Sequence, residues 1–191
     1  MRPTPKSALI IVDVQNDFIP GGALPVPEGD KVVPILNEYI GKFVKGGGKI
    51  FATRDWHPPN HISFKDRGGP WPPHCVQGTW GASFHKDLRL PADAIIISKA
   101  SSPDKEAYSG FQDTELAGKL RQLGIRRVFI GGLATDYCVL NTVMDALSNG
   151  FETYLLLDGC RGIDLHPGDV ERAVGRMVLA GAKPVTLKDI T

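Results

Sequence analysis

The sequence predicts an α/β fold: one domain over residues 1–191, in three layers, with a six-stranded and mainly parallel sheet between helices. Two observations predict it. Short continuous apolar runs, which mark strands buried on both faces, alternate with segments whose apolar residues recur every three or four positions. A length of 191 residues suits one substantial core.

Residues 8–12, Ala-Leu-Ile-Ile-Val, form the first apolar run, and a Gly/Pro-rich loop follows over 20–30. Val32, Val33, Leu36, Tyr39, Ile40, Phe43 and Val44 keep helical spacing until Gly46-Gly47-Gly48 stops them. Residues 49–53 read as the second strand, 55–92 as loop with a short helix, and 94–98 as the third strand. Leu116, Leu120 and Leu123 mark a helix ended by Gly124, and residues 127–130 the next strand. Residues 136–149 read as helix with Gly150 as its stop, 153–157 as strand, 167–180 as helix and 184–187 as a last short strand.

Composition removes several functions. The formal net charge is +1, which disfavours a nucleic-acid binder or a polybasic membrane binder. With 42% hydrophobic residues the chain is not disordered, and no apolar run approaches the roughly 20 residues of a membrane span. The first residues are too soon acidic, at Asp13, for a signal peptide, and three cysteines are too few for a secreted disulfide scaffold. A reduced, cytoplasmic protein is expected. The 22 glycines and 15 prolines are in excess and imply long, shaped loops.

In a parallel sheet the chemistry sits outside the carboxyl ends of the strands. Asp13 and Lys99 each end an apolar strand there, and Cys138 falls in the first turn of the helix after the fourth strand. Taken singly, they read as a loop-capping aspartate, a lysine reaching solvent and a small buried hydrophobe. Together they offer a base, a cation and a nucleophile. Thr135 or Asp136 is the expected N-cap, and the helix end with a nearby cation is expected to depress the thiol pKa. No Gly-x-Ser-x-Gly occurs, so a Ser-His-Asp hydrolase fits poorly. A nucleotide-binding regulator fits less well, because Gly131-Gly132-Leu133-Ala134-Thr135-Asp136 lacks Gly-x-Gly-x-x-Gly and a P-loop lysine.

Asp55-Trp56-His57 and Trp71-Pro72-Pro73-His74-Cys75 supply a second constellation. Asp55 and His57, two apart on an extended stretch, point the same way, and His74 would complete an open carboxylate/imidazole metal site. A His-rich surface loop is the plainer alternative. Cys75 is expected to point away from the ligands, and His85 and His166 to lie on the surface.

Asp13-Val14-Gln15-Asn16-Asp17-Phe18, Asp55-Trp56-His57-Pro58, Trp71-Pro72-Pro73-His74-Cys75, Lys99, Tyr108-Ser109-Gly110-Phe111 and Gly132-Leu133-Ala134-Thr135-Asp136-Tyr137-Cys138-Val139 resemble the motifs of nicotinamidases, which are isochorismatase-like cysteine hydrolases with a Rossmann-like sheet. The resemblance implies deamidation of nicotinamide to nicotinate and ammonia through a thioester, a step of NAD salvage, with pyrazinamide accepted as well. It implies Asp13 as base, Cys138 as nucleophile, Lys99 as the cation beside them, and an oxyanion hole from the N–H groups of Ala134 and Cys138. It implies a cis peptide at Leu133–Ala134, a ring slot lined by Phe18, Trp71, Leu133 and Tyr108, and one divalent metal on Asp55, His57 and His74. Zinc heads the candidates, with iron and manganese behind it, and whether His61 joins as a fourth ligand stays open. A homodimer is a family-level expectation. The alternative is another amidohydrolase of the superfamily with a different small substrate.

Overall fold

Apolar runs that cannot expose either face become the strands of one sheet in the computed structural model, which describes residues 1–191. The strands are β1 (Ser7–Val12), β2 (Lys49–Asp55), β3 (Ile95–Lys99), β4 (Arg127–Leu133), β5 (Glu152–Arg161) and β6 (Lys183–Val185). Their order is β3-β2-β1-β4-β5-β6, and every neighbouring pair is parallel.

Alternate residues of each strand feed two separate cores. Leu9, Ile11, Ile50, Ala52, Phe129, Tyr154 and Leu156 face helix α1 (Val32–Gly46), which buries Val32, Val33, Leu36, Tyr39, Ile40 and Phe43 against them. Phe43 meets Phe129 edge-on, with ring centroids 5.0 Å apart. Ala8, Ile10, Val12, Phe51, Ile97, Val128, Ile130 and Leu155 face α2 (Leu116–Gln122), α3 (Leu140–Ser148) and α4 (Asp169–Leu179). The result is the expected three-layer α/β/α arrangement. No helix is long and apolar enough to cross a membrane.

Two elements depart from the sequence reading. The helix expected over 136–149 begins as a π-helical turn, Thr135–Val139, before α3. Neither Thr135 nor Asp136 caps it; the Ala134 carbonyl accepts from the N–H groups of Tyr137 and Val139, both at 3.1 Å. Asp136 is drawn elsewhere and accepts from the N–H groups of Ile163 (2.9 Å) and Asp164 (2.8 Å), holding the segment that follows β5. Strand β5 also runs on to Arg161, through an Asp158-Gly159 pair that reads as a strand end. A register shift absorbs the extra residues, with Ile130 opposite Leu155 but Gly132 opposite Cys160. Asp158 then accepts from the Tyr39 hydroxyl (2.7 Å) and the Leu187 N–H (2.8 Å).

The crossover direction reverses between β1 and β4, so their carboxyl ends flank the topological switch point. Gly132 lets the two strands approach there: a Cβ would lie 2.2 Å from the Val12 carbonyl oxygen. The long segment after β2 folds back through isolated bridges at His57–Val76 and Phe64–Trp71, which returns His74 toward His57.

Candidate active site

Asp13 is the first residue beyond β1 and has φ 49°. Its carboxylate is fully buried; Oδ1 accepts from the Thr53 hydroxyl at 2.7 Å. Oδ2 lies 2.9 Å from Lys99 Nζ and has no hydrogen-bond partner otherwise. Lys99, at the end of β3, is 1% exposed, so it does not reach solvent. Its ammonium also pairs with Asp55 Oδ1, donates to the Ala107 carbonyl at 3.2 Å, and stands 3.4 Å from Cys138 Sγ. A lysine buried this completely needs such company, because an unpaired charge there would cost several kcal/mol (~3–5).

The electrostatics correct one expectation. The Cys138 thiol is not acidified: burial pushes its pKa well above the ordinary cysteine value, Lys99 opposes this, and Asp13 and Asp55 add to it. Burial raises the Asp13 carboxyl despite Lys99. Burial opposes the Lys99 ammonium, yet Asp13 and Asp55 hold its pKa well above the usual lysine value.

Asp55 turns its other oxygen to two imidazoles: Oδ2 is 3.4 Å from His57 Nε2 and 3.8 Å from His74 Nε2. Each ring has its Nδ1 against a backbone carbonyl, Ala100 for His57 (3.1 Å) and Pro72 for His74 (2.8 Å). A carbonyl accepts only, so Nδ1 donates in each ring and Nε2 faces Asp55, the nitrogen that would bind a metal once its proton is displaced. One carboxylate oxygen and two such nitrogens suit a divalent transition metal, and their donor atoms lie within 4.8 Å of one another. Burial opposes the Asp55 carboxylate, but Lys99 and the two histidines hold it well below the usual range. Burial lowers His74; at His57 burial works the same way but Asp55 outweighs it and the pKa is raised.

His61 stands behind this group. Its Nδ1 meets the Ser63 hydroxyl at 2.7 Å, its Nε2 the Lys105 carbonyl at 2.9 Å, and its ring stacks on His57 with centroids 4.1 Å apart. With both nitrogens on protein partners it supports His57. Cys75 does point away, its Sγ 4.0 Å from the Gly81 carbonyl. His166 is exposed, whereas His85 is half-buried and its Nδ1 accepts from the Asp87 N–H.

Above these groups opens a narrow, mostly apolar slot. Phe18, Trp71, Tyr108, Ala134 and Cys138 line it, together with Asp55 and His74 from the metal-type group. Leu133 does not: it is fully buried in the α1-side core, and only its successor Ala134 reaches the slot. The Leu133–Ala134 peptide is cis. Leu24, Val26, Tyr137 and Ile163 complete the walls, unforeseen from the sequence. Tyr137 had one available signal, its place beside Cys138; the other three arrive by tertiary folding. Trp71 donates its indole N–H to the Tyr108 hydroxyl at 3.0 Å and meets Tyr137 edge-on at 5.4 Å.

A parallel α/β/α sheet that gathers a thiol, a carboxylate and a lysine beneath an apolar slot at its switch point has the build of a hydrolase. Residues 7–189 match the Isochorismatase domain model, and the chain belongs to that family. The nicotinamidase of Escherichia coli is 41% identical over 206 aligned positions, covering 97% of each chain. The pyrazinamidase of Pyrococcus horikoshii, solved in complex with zinc, is 61% identical with a TM-score of 0.92, covering 96% of this chain and 100% of that one. The L. infantum protein PnC1, solved in complex with nicotinate, has a TM-score of 0.92 at 36% identity, over 100% of this chain and 98% of its own.

Proposed function

We propose that this protein hydrolyses nicotinamide to nicotinate and ammonia, with pyrazinamide as a second substrate, and so serves NAD salvage. The observation that carries the reading is the meeting of Cys138, Asp13 and Lys99 under a slot that also presents Asp55 and His74. Similarity to a nicotinamidase and to a nicotinate complex supports the choice of substrate.

The chain's own groups account for the proton and bond changes. Asp13 Oδ2, a buried acceptor, takes the thiol proton as Cys138 Sγ attacks the carboxamide carbon. Lys99, 3.4 Å from the sulfur, offsets the charge of the developing thiolate. The N–H groups of Ala134 and Cys138 hold the oxyanion of the tetrahedral adduct. Asp13 returns the proton to the leaving nitrogen, the C–N bond breaks, and ammonia departs from a thioester. Water, deprotonated by Asp13, then cleaves the C–S bond, and the sulfur recovers its proton. Phe18, Trp71 and Tyr108 flank the ring. Asp55, His57 and His74 would hold a divalent metal, zinc first, which supplies a Lewis acid for the ring nitrogen and so orients the substrate. The free thiols of Cys75, Cys138 and Cys160 suit a reducing compartment such as the cytoplasm.

Purified protein with zinc, assayed for ammonia against nicotinamide, pyrazinamide and isochorismate, tests this. Release from the two carboxamides and no turnover of isochorismate is expected. Absence of ammonia from nicotinamide would sink the assignment.

A further inference from the structure

Gln15 has no part in the chemistry above, yet it is fully buried beside it. The backbone ladder between β1 and β2 ends early. Val12 pairs with Thr53, Asp13 sends its N–H to the Thr53 carbonyl at 3.2 Å, and the chain then turns away at φ 49°. Strand β2 continues to Asp55 without a β1 backbone alongside. The Gln15 side chain stands in for the missing strand. Its Oε1 accepts from the Asp55 N–H at 2.8 Å, and its Nε2 donates to the Asp55 carbonyl at 2.8 Å and to the Ala82 carbonyl at 2.9 Å. A primary amide reproduces the donor and acceptor of a peptide group, so Asp55 is gripped on its own backbone at both ends.

We infer that Gln15 is a positioning residue that orients Asp55 toward its two sets of partners at once. Asp55 gives Oδ1 to Lys99 and Oδ2 to His57 and His74, and this division requires one setting of its backbone at the end of a strand, where chains otherwise fray. The Ala82 bond ties the same amide to the loop that packs over it. This inference rests on the proposed metal-assisted deamidation, and the neutral amide suits a pocket that already holds two carboxylates.

The test compares wild type with Gln15→Met, similar in volume and unable to form the ladder. Zinc affinity is measured by chelator competition, with kcat and KM for nicotinamide on metal-saturated protein and Tm on metal-free protein. Positioning predicts zinc affinity weakened roughly 10–100-fold, the loss typical of removing a ligand's supporting bond, and a lower kcat at saturating zinc. A packing role alone would lower Tm and leave the zinc constant and kcat unchanged, and that result would overturn the inference. If Gln15→Met does not fold, Gln15→Glu, which keeps an acceptor for the Asp55 N–H but loses both donors, is read by the same criteria. Wild type that binds zinc without releasing ammonia would instead refute the deamidase reading.

Discussion

The Cys138 thiol lies between opposing neighbours. Lys99, 3.4 Å from the sulfur, favours the thiolate, while burial, Asp13 and Asp55 favour the neutral thiol and prevail. As the proposed nucleophile it needs a proton acceptor within reach, and Asp13 Oδ2, paired with Lys99 and otherwise without a hydrogen-bond partner, is the candidate. Cys138→Ala should lower kcat for nicotinamide by about 10⁴-fold or more, as expected when a nucleophile is lost. Its Tm should stay close to wild type, because Asp13 and Lys99 keep each other and alanine suits a helical turn. Substantial turnover by the variant would remove Cys138 as nucleophile. Placement of Asp13, Lys99 and Cys138 was legible in the sequence because a parallel sheet gathers its strand ends. The direction of the thiol's pKa was not: a helix-terminus argument is local, whereas the burial that opposes it, and after it the two carboxylates, come from tertiary folding.

At the level of elements, two glycines, one in a helix and one in a strand, differ in what their backbone demands. Gly118 sits within α2 with nothing within 4 Å of where a Cβ would be, so Gly118→Ala should stabilise by about 0.4–1 kcal/mol. Gly132, in β4, has φ +129° and would place a Cβ 2.2 Å from the Val12 carbonyl oxygen. Gly132→Ala should cost on the order of 3 kcal/mol or more from that conformation and clash, a fall in Tm of about 6 °C or more. It should also lower kcat, since β4 leads directly into Ala134 and Cys138. Thermal melts of both variants decide, and a Gly132→Ala protein melting with wild type would refute the account. Apolar runs gave all six strands, but β5 was read short because Asp158-Gly159 imitates a strand end. The partners that make Asp158 acceptable, Tyr39 and Leu187, lie on other elements. The π-helical turn escaped for a similar reason, since its N–H groups are satisfied by the Ala134 carbonyl rather than by a capping side chain.

Across the whole molecule, the centre is unbalanced in charge. Asp13 and Asp55 are buried carboxylates with Lys99 as the one buried lysine among them. A divalent cation on Asp55, His57 and His74 would turn that deficit of positive charge into a surplus and tie the 56–94 segment to the sheet. Binding to the folded chain alone stabilises it by mass action, about 2.7 kcal/mol when free metal is 100 times its dissociation constant. For a chain of this size that corresponds to a rise in Tm of roughly 5–11 °C. Exhaustive chelation should therefore lower Tm by that amount and abolish ammonia release, and added zinc should restore both. His74→Ala should melt near the chelated protein and gain little from zinc, because it keeps the fold but loses one of three donors. Hydrogen exchange should place the zinc-dependent protection in residues 56–76, where the ligand segment closes on itself through the His57–Val76 bridge. A wild-type Tm indifferent to both chelator and zinc would dismiss the Asp55, His57 and His74 site.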